Sequence, residues 1–208
     1  MNGVERWRVP AALLAIASCV LAAVVAGQTV EGYSHLRHPL ALLGARQLQE
    51  GAPLFGLFAF VLPGLIGGWI ALGVRDRLPA GAGWSARIGA QLLVLAALAF
   101  AAQGVLPLDL DDLDGGSSRY HAAAWLLWAL AFPAGATLLV MELWRTPGWR
   151  RFACITAVAA LLVVAGGFLG SGWAGSAMSQ RVAFAVWLAW GVFAAMPTPQ
   201  GGVSRGAA

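Results

Sequence analysis

Six apolar stretches, each of a length suited to crossing a lipid bilayer as a helix, occupy most of this 208-residue chain and limit its folding more than any other feature. They run over residues 9–30, 53–74, 88–106, 121–143, 152–170 and 180–196. A spanning helix needs about 20 apolar residues, because each residue advances only about 1.5 Å along the axis. Within lipid every backbone N–H and C=O must find a partner in protein, which leaves helices and closed barrels as spanning forms. A barrel would alternate lipid-facing apolar residues with polar residues toward a lumen, and these stretches show no such alternation. The expectation is an all-α, polytopic membrane protein with six transmembrane helices, forming a single domain over residues 1–208. Residues 197–208 read as a flexible C-terminal tail.

Composition agrees with this reading. The chain is 60% hydrophobic and 11% charged, whereas soluble domains are about one quarter charged. The formal charge of +4 comes entirely from arginine, with no lysine. The arginines are dispersed among short loops and form no basic stripe, so nucleic acid is excluded as a partner. Cys19 and Cys154 both fall within apolar stretches and read as small buried hydrophobes. The first stretch has the basic start of a secretory signal but exceeds the usual length of a signal core; it reads as a retained helix.

The arginines also set an orientation. With the N-terminus in the cytoplasm, the inner segments hold Arg6, Arg8, Arg75, Arg77, Arg87, Arg145, Arg150, Arg151 and Arg205. The outer segments hold Arg37, Arg46, Arg119 and Arg181. That bias places both termini inside, with Trp84, Trp144 and Trp149 forming an interfacial belt beside the inner arginines. The expected location is the cell inner membrane, multi-pass. Most acidic residues and all of His35, His38 and His121 then collect outside.

Pro63 and Pro133 lie within the second and fourth spans, where each removes a backbone donor and requires a neighbour to satisfy the freed carbonyl. Glycines around Pro63 and in the fifth span suit close helix packing. The two prolines do not occupy corresponding helices, which gives little support to an inverted repeat.

The outer loops carry the chemistry. In the first, Pro39 suits the start of a short helix over residues 39–49 lying on the bilayer surface, with residues 33–38 extended before it. That arrangement would hold Tyr33, Ser34, His35 and His38 above the bundle. The second loop offers Asp109, Asp111, Asp112 and Asp114, then delivers Arg119 and His121 to the fourth helix. Arg181 opens the last helix beside lipid and needs an anionic partner, either a carboxylate or a lipid phosphate.

Several chemistries fit these groups. Zinc could take His35, His38 and His121 with an aspartate. The aspartate spacing does not match a calcium-binding EF-hand loop. A hydrolase acting on a lipid or lipid-linked substrate would use Ser34 as nucleophile, His35 or His121 as base and Asp111 to orient it, although Ser34 lacks a glycine-flanked elbow. A lipid-headgroup site would use Tyr33, His38, Arg119 and Arg181, with membrane lipids or another membrane protein as partner. Bis-histidine haem would need facing histidines within the membrane, and none are present. Gln91 and Gln103 read as groups bonding across helices. No ionisable residue falls at mid-membrane, as a proton-coupled pump would require.

On Gly32-Tyr33-Ser34-His35, Pro39 and Leu42-Leu43-Gly44 the chain resembles a bacterial family of six-helix inner-membrane proteins classed as a domain of unknown function. The resemblance extends to the acidic loop at 109–114, to His121 and to Gln180-Arg181; it departs at Ala41, where serine is common. It implies the fold and topology and supplies no activity. The expectation is a periplasm-facing polar pocket or cap that binds a lipid headgroup or supports a membrane complex. No cofactor is expected beyond the zinc option.

Overall fold

The computed structural model describes residues 3, 5–48 and 50–197, and among these every regular element is helical. Among the described residues six helices are long and apolar enough to cross a membrane: α1 Glu5–Thr29, α2 Ala52–Asp76, α3 Trp84–Val105, α4 Gly116–Leu143, α5 Arg150–Leu169 and α6 Ser176–Ala195. The chain is an all-α, polytopic membrane protein. The tail expected over residues 197–208 lies outside the described residues, apart from Pro197.

Helix α3 packs along both α2 and α4, α5 lies on α4, and α6 closes the bundle against α1, α2 and α5. Apolar burial gains little between helices already in lipid, so close contact has to supply the cohesion. Glycine provides it. A Cβ on Gly89 would lie 2.7 Å from the Gly135 carbonyl oxygen, and a Cβ on Gly135 would lie 2.7 Å from that of Gly89. Gly56 and Gly104 bring α2 and α3 together in the same way. At the centre Phe60, Phe100, Trp128, Phe184 and Trp187 form one aromatic core, with Phe100 and Trp187 ring centroids 4.5 Å apart. Outward, Leu13, Leu14, Val20 and Leu21 of α1 are exposed, which suits a face turned to hydrocarbon.

Pro63 is accommodated by a device with identifiable parts. Residues Leu57–Val61 form a π-turn in which the Leu62 N–H reaches back to the Leu57 oxygen. In that register the Phe58 oxygen would need the N–H of residue 63, which is proline and has none. The Ser18 hydroxyl of α1 donates to the Phe58 oxygen at 2.6 Å instead. A neighbouring helix thus repairs the gap.

Both described chain ends lie at one end of the bundle. There Arg77 caps the last turn of α6, donating to the oxygens of Ala194 and Met196 at 2.5 and 2.6 Å. Glu142 accepts the Gly83 N–H at 3.0 Å and the Ser85 hydroxyl at 2.6 Å, fixing the start of α3 against α4. The opposite end carries the loops 30–51, 106–115 and 170–175 and is called the cap.

The first cap loop differs from its expected form. Leu40–Gly44 is a short 3-10 turn rather than a surface helix, and Leu40 and Leu43 are 4% and 0% exposed. These leucines gain more by sealing the end of the bundle than by resting on lipid. Residues 35–37, expected to be extended with the rest of 33–38, form a turn, for the reason given below. Helix α4 begins at Gly116, ahead of the apolar run, so Arg119 and His121 lie inside the helix.

Candidate functional site

The cap is assembled from two loops and the start of α6. After α1, Gly32 adopts φ +71°, a left-handed turn that glycine takes without strain, and Tyr33 N–H closes onto the Val30 oxygen at 3.2 Å. The Ser34 oxygen then accepts from the N–H groups of Arg37 and His38 at 3.1 and 2.9 Å. His38 returns the contact, its Nδ1 accepting the Ser34 backbone N–H at 3.0 Å. This mutual bonding makes a turn of residues expected to be extended. The Tyr33 ring sits between both imidazoles, 5.0 Å from His35 and 5.6 Å from His38 between centroids.

Arg181 is the centre of this cluster. From the second turn of α6 its Nη2 donates to the Tyr33 hydroxyl at 2.5 Å. Its Nη1 donates to the His38 oxygen at 2.8 Å and to the Ala177 oxygen at 3.1 Å. All three acceptors are neutral oxygens; none is a carboxylate. A guanidinium offers five N–H donors, so among the described residues the Nε–H and one Nη2–H remain for another acceptor. Burial pushes the Tyr33 hydroxyl pKa up, and the charge and hydrogen bond of Arg181 partly offset that rise.

A second cluster ties the loops together. Gln47 Nε2 donates to Asp109 at 2.5 Å and to Asp111 at 3.1 Å, while its Oε1 accepts the Leu110 N–H at 3.2 Å. The Gln47 bond is the largest of the influences that hold the Asp109 carboxyl below its usual range; the Asp111 backbone N–H adds to it. Nothing in the sequence singles out Gln47, one of several polar residues from Arg46 to Glu50.

His121 is set apart from the other imidazoles. It is buried, and its Nδ1 contacts the oxygens of Gln103 and Leu106 at 3.1 and 2.8 Å. Two carbonyl partners require that Nδ1 carry the proton. The ring meets Phe60 edge-on at 6.3 Å. Among the described residues no three His, Cys, Asp or Glu side chains converge as a metal ligand set.

A family model described as "Protein of unknown function (DUF998)" matches residues 13–197, which include the cap loops and reach from α1 through α6. The chain belongs to this family. No curated protein and no solved structure matches it. Membership in the DUF998 family brings no activity to the site, so its chemistry has to be read from the groups themselves.

In this DUF998 protein the expected candidates divide. Tyr33, His35, His38 and Arg181 share one cluster. Asp111 belongs to the Gln47 latch, Arg119 is exposed at the start of α4, and His121 faces inward. Ser34 meets His38 through its backbone N–H and not through its hydroxyl, so the nucleophile–base–aspartate relay is not assembled in this geometry. What the Tyr33–Arg181 cluster offers chemically is a cation with donors left free among the described residues.

Proposed function

We propose that this protein is a multi-pass inner-membrane protein, with both termini in the cytoplasm, whose periplasm-facing cap binds the phosphate of an anionic lipid headgroup through Arg181. The observation that carries the reading is a half-buried guanidinium whose partners among the described residues are a hydroxyl and two backbone oxygens. Those partners orient the group without cancelling its charge. A guanidinium held this way has its strongest remaining attraction to a carboxylate or phosphate, which it binds through paired N–H groups. Its position near the start of a membrane-spanning helix supports a place at headgroup depth. The N-terminus of the same helix, about one turn before it, adds a favourable field for an anion. The arginine bias of the loops supports the orientation.

The test is native mass spectrometry on gently extracted protein with added phosphatidylglycerol. Wild type is expected to retain one lipid that Arg181→Ala loses and Arg181→Lys retains weakly. Identical lipid adducts in wild type and Arg181→Ala would end the proposal.

A further inference from the structure

At the end of the bundle opposite the cap, an open cleft of about 770 Å³ lies between the end of α2 and the first turns of α3. Arg75, Asp76 and Arg87 are in its lining, so among the described residues two cations face one carboxylate and leave a net positive charge. Arg87 is steadied by its Nε, which donates to the Ala82 oxygen at 3.2 Å. Among the described residues its Nη groups stay open, and the Arg75 guanidinium has no partner. Both arginine side chains are exposed, so a ligand in the cleft can reach those donors. Trp84, also in the lining and 82% exposed, suits the membrane–water interface. Further along α3 the lining changes character. Arg87, Gln91 and Leu95 recur every fourth residue, which puts them on one face of the helix, each about 6 Å further into the span than the last. Gln91 is exposed within the membrane-spanning segment, and its amide has no hydrogen-bond partner among the described residues. An unbonded amide facing hydrocarbon is costly. Ile88 and Leu92 join Leu95 as an apolar wall.

Cation, then amide, then hydrocarbon is the complement of a glycerophospholipid taken from the interface inward: phosphate, ester carbonyl, acyl chain. We infer that this cleft binds one anionic phospholipid of the adjoining leaflet. Arg75 and Arg87 take the phosphate, whose oxygens suit paired guanidinium N–H groups. The Gln91 amide donates to an ester carbonyl, which removes the cost of leaving it unbonded in lipid. An acyl chain lies along Ile88, Leu92 and Leu95. With Asp76 opposing one of the two arginines, the remaining charge matches the single charge of a phosphodiester. The site is independent of the one at Arg181, which lies at the other end of the bundle.

The experiment titrates the full chain in detergent with phosphatidylglycerol, phosphatidylcholine and inorganic phosphate, reading bound species by native mass spectrometry. Arg75→Gln combined with Arg87→Gln removes both charges of the cleft. Gln91→Leu removes the amide and keeps the bulk. Arg145→Gln removes an exposed charge at the same end but outside the cleft, which separates a built site from general attraction. The double variant is expected to lose about tenfold in affinity for one phosphatidylglycerol, the scale of a charge-assisted hydrogen bond. Gln91→Leu is expected to lose about threefold, the scale of a neutral one, and Arg145→Gln to lose nothing. Wild type is expected to prefer phosphatidylglycerol to phosphatidylcholine here, and a cap-bound lipid sensitive to Arg181→Ala is unaffected by all three changes. Equal losses in the double variant and in Arg145→Gln would overturn the inference, as would wild-type retention by Gln91→Leu. Inorganic phosphate bound as tightly as phosphatidylglycerol would overturn it too, because the amide and the apolar wall would then contribute nothing. Should the double variant fail to fold, Gln91→Leu decides alone.

Discussion

The Tyr33 hydroxyl accepts a hydrogen bond from Arg181 Nη2 at 2.5 Å, joining the first cap loop to the last helix across 148 positions of sequence. The contact orients a guanidinium near the start of the last membrane-spanning helix, and the same tyrosine packs both neighbouring imidazoles. Replacing Tyr33 by Phe keeps the ring and deletes the acceptor. Loss of one charged hydrogen bond is expected to cost about 1.5–3 kcal/mol, read as a lower unfolding midpoint, with weaker lipid retention at the cap.

The same tyrosine makes an alkaline prediction. Its folded-state pKa is raised by burial, with Arg181 opposing. A raised acid contributes stability that is fully present below the unfolded value, about 10 for tyrosine, and is lost as pH rises through the folded value. Wild type should therefore lose stability above about pH 10 relative to Tyr33→Phe. Parallel curves for the two proteins across that window would contradict it.

Ser18 should matter only because residue 63 is proline. Ser18→Ala leaves the Phe58 oxygen without the hydroxyl that now satisfies it, at a cost of about 1–3 kcal/mol. Pro63→Ala restores an N–H at the position the π-turn needs. In that background Ser18→Ala is expected to be nearly neutral, so a double-mutant cycle should give a coupling comparable to the single effect. Additive effects would refute the pairing.

The glycine seam between α3 and α4 predicts a contrast. Gly89→Ala puts a methyl against the Gly135 carbonyl and should destabilise by about 1–3 kcal/mol. Gly81→Ala meets nothing within 4 Å and should leave the unfolding midpoint within error. Thermal unfolding of the two variants side by side checks this.

At acidic pH the loop latch should open. Asp109 is held below its ordinary pKa, chiefly by Gln47. A depressed carboxyl contributes stability above its unfolded pKa and loses it as pH falls through the folded one. Protease cleavage of the 106–115 loop should rise as pH falls below about 4, and Gln47→Ala should show fast cleavage already at neutral pH.

Helices are the part of this protein most legible in its sequence, because the bilayer requires long apolar runs and the runs are uninterrupted. The arginine at 181 is legible as a charge needing an anionic partner beside lipid. That its partners among the described residues are neutral is not legible, since Tyr33 lies 148 positions away and no local pattern links them. His121 reads as a companion of His35 and His38 because all follow outer segments; the early start of α4 turns it inward onto Gln103 and Leu106 instead. Arg8 reads as one of many topology arginines, and its burial depends on Gly73 and Trp69 of another helix. Ser18 is hidden for a similar reason: the carbonyl it repairs belongs to α2.

Dipolar dephasing between arginine side-chain nitrogen-15 and lipid phosphorus-31, recorded on the protein in phosphatidylglycerol bilayers, reaches the cap site most directly. Subtracting the spectrum of Arg181→Lys isolates that residue, and a phosphorus within hydrogen-bonding range of its Nε and Nη2 is the predicted result. No difference between the two spectra would mean that no phosphate sits on Arg181, and the proposed cap function would be wrong.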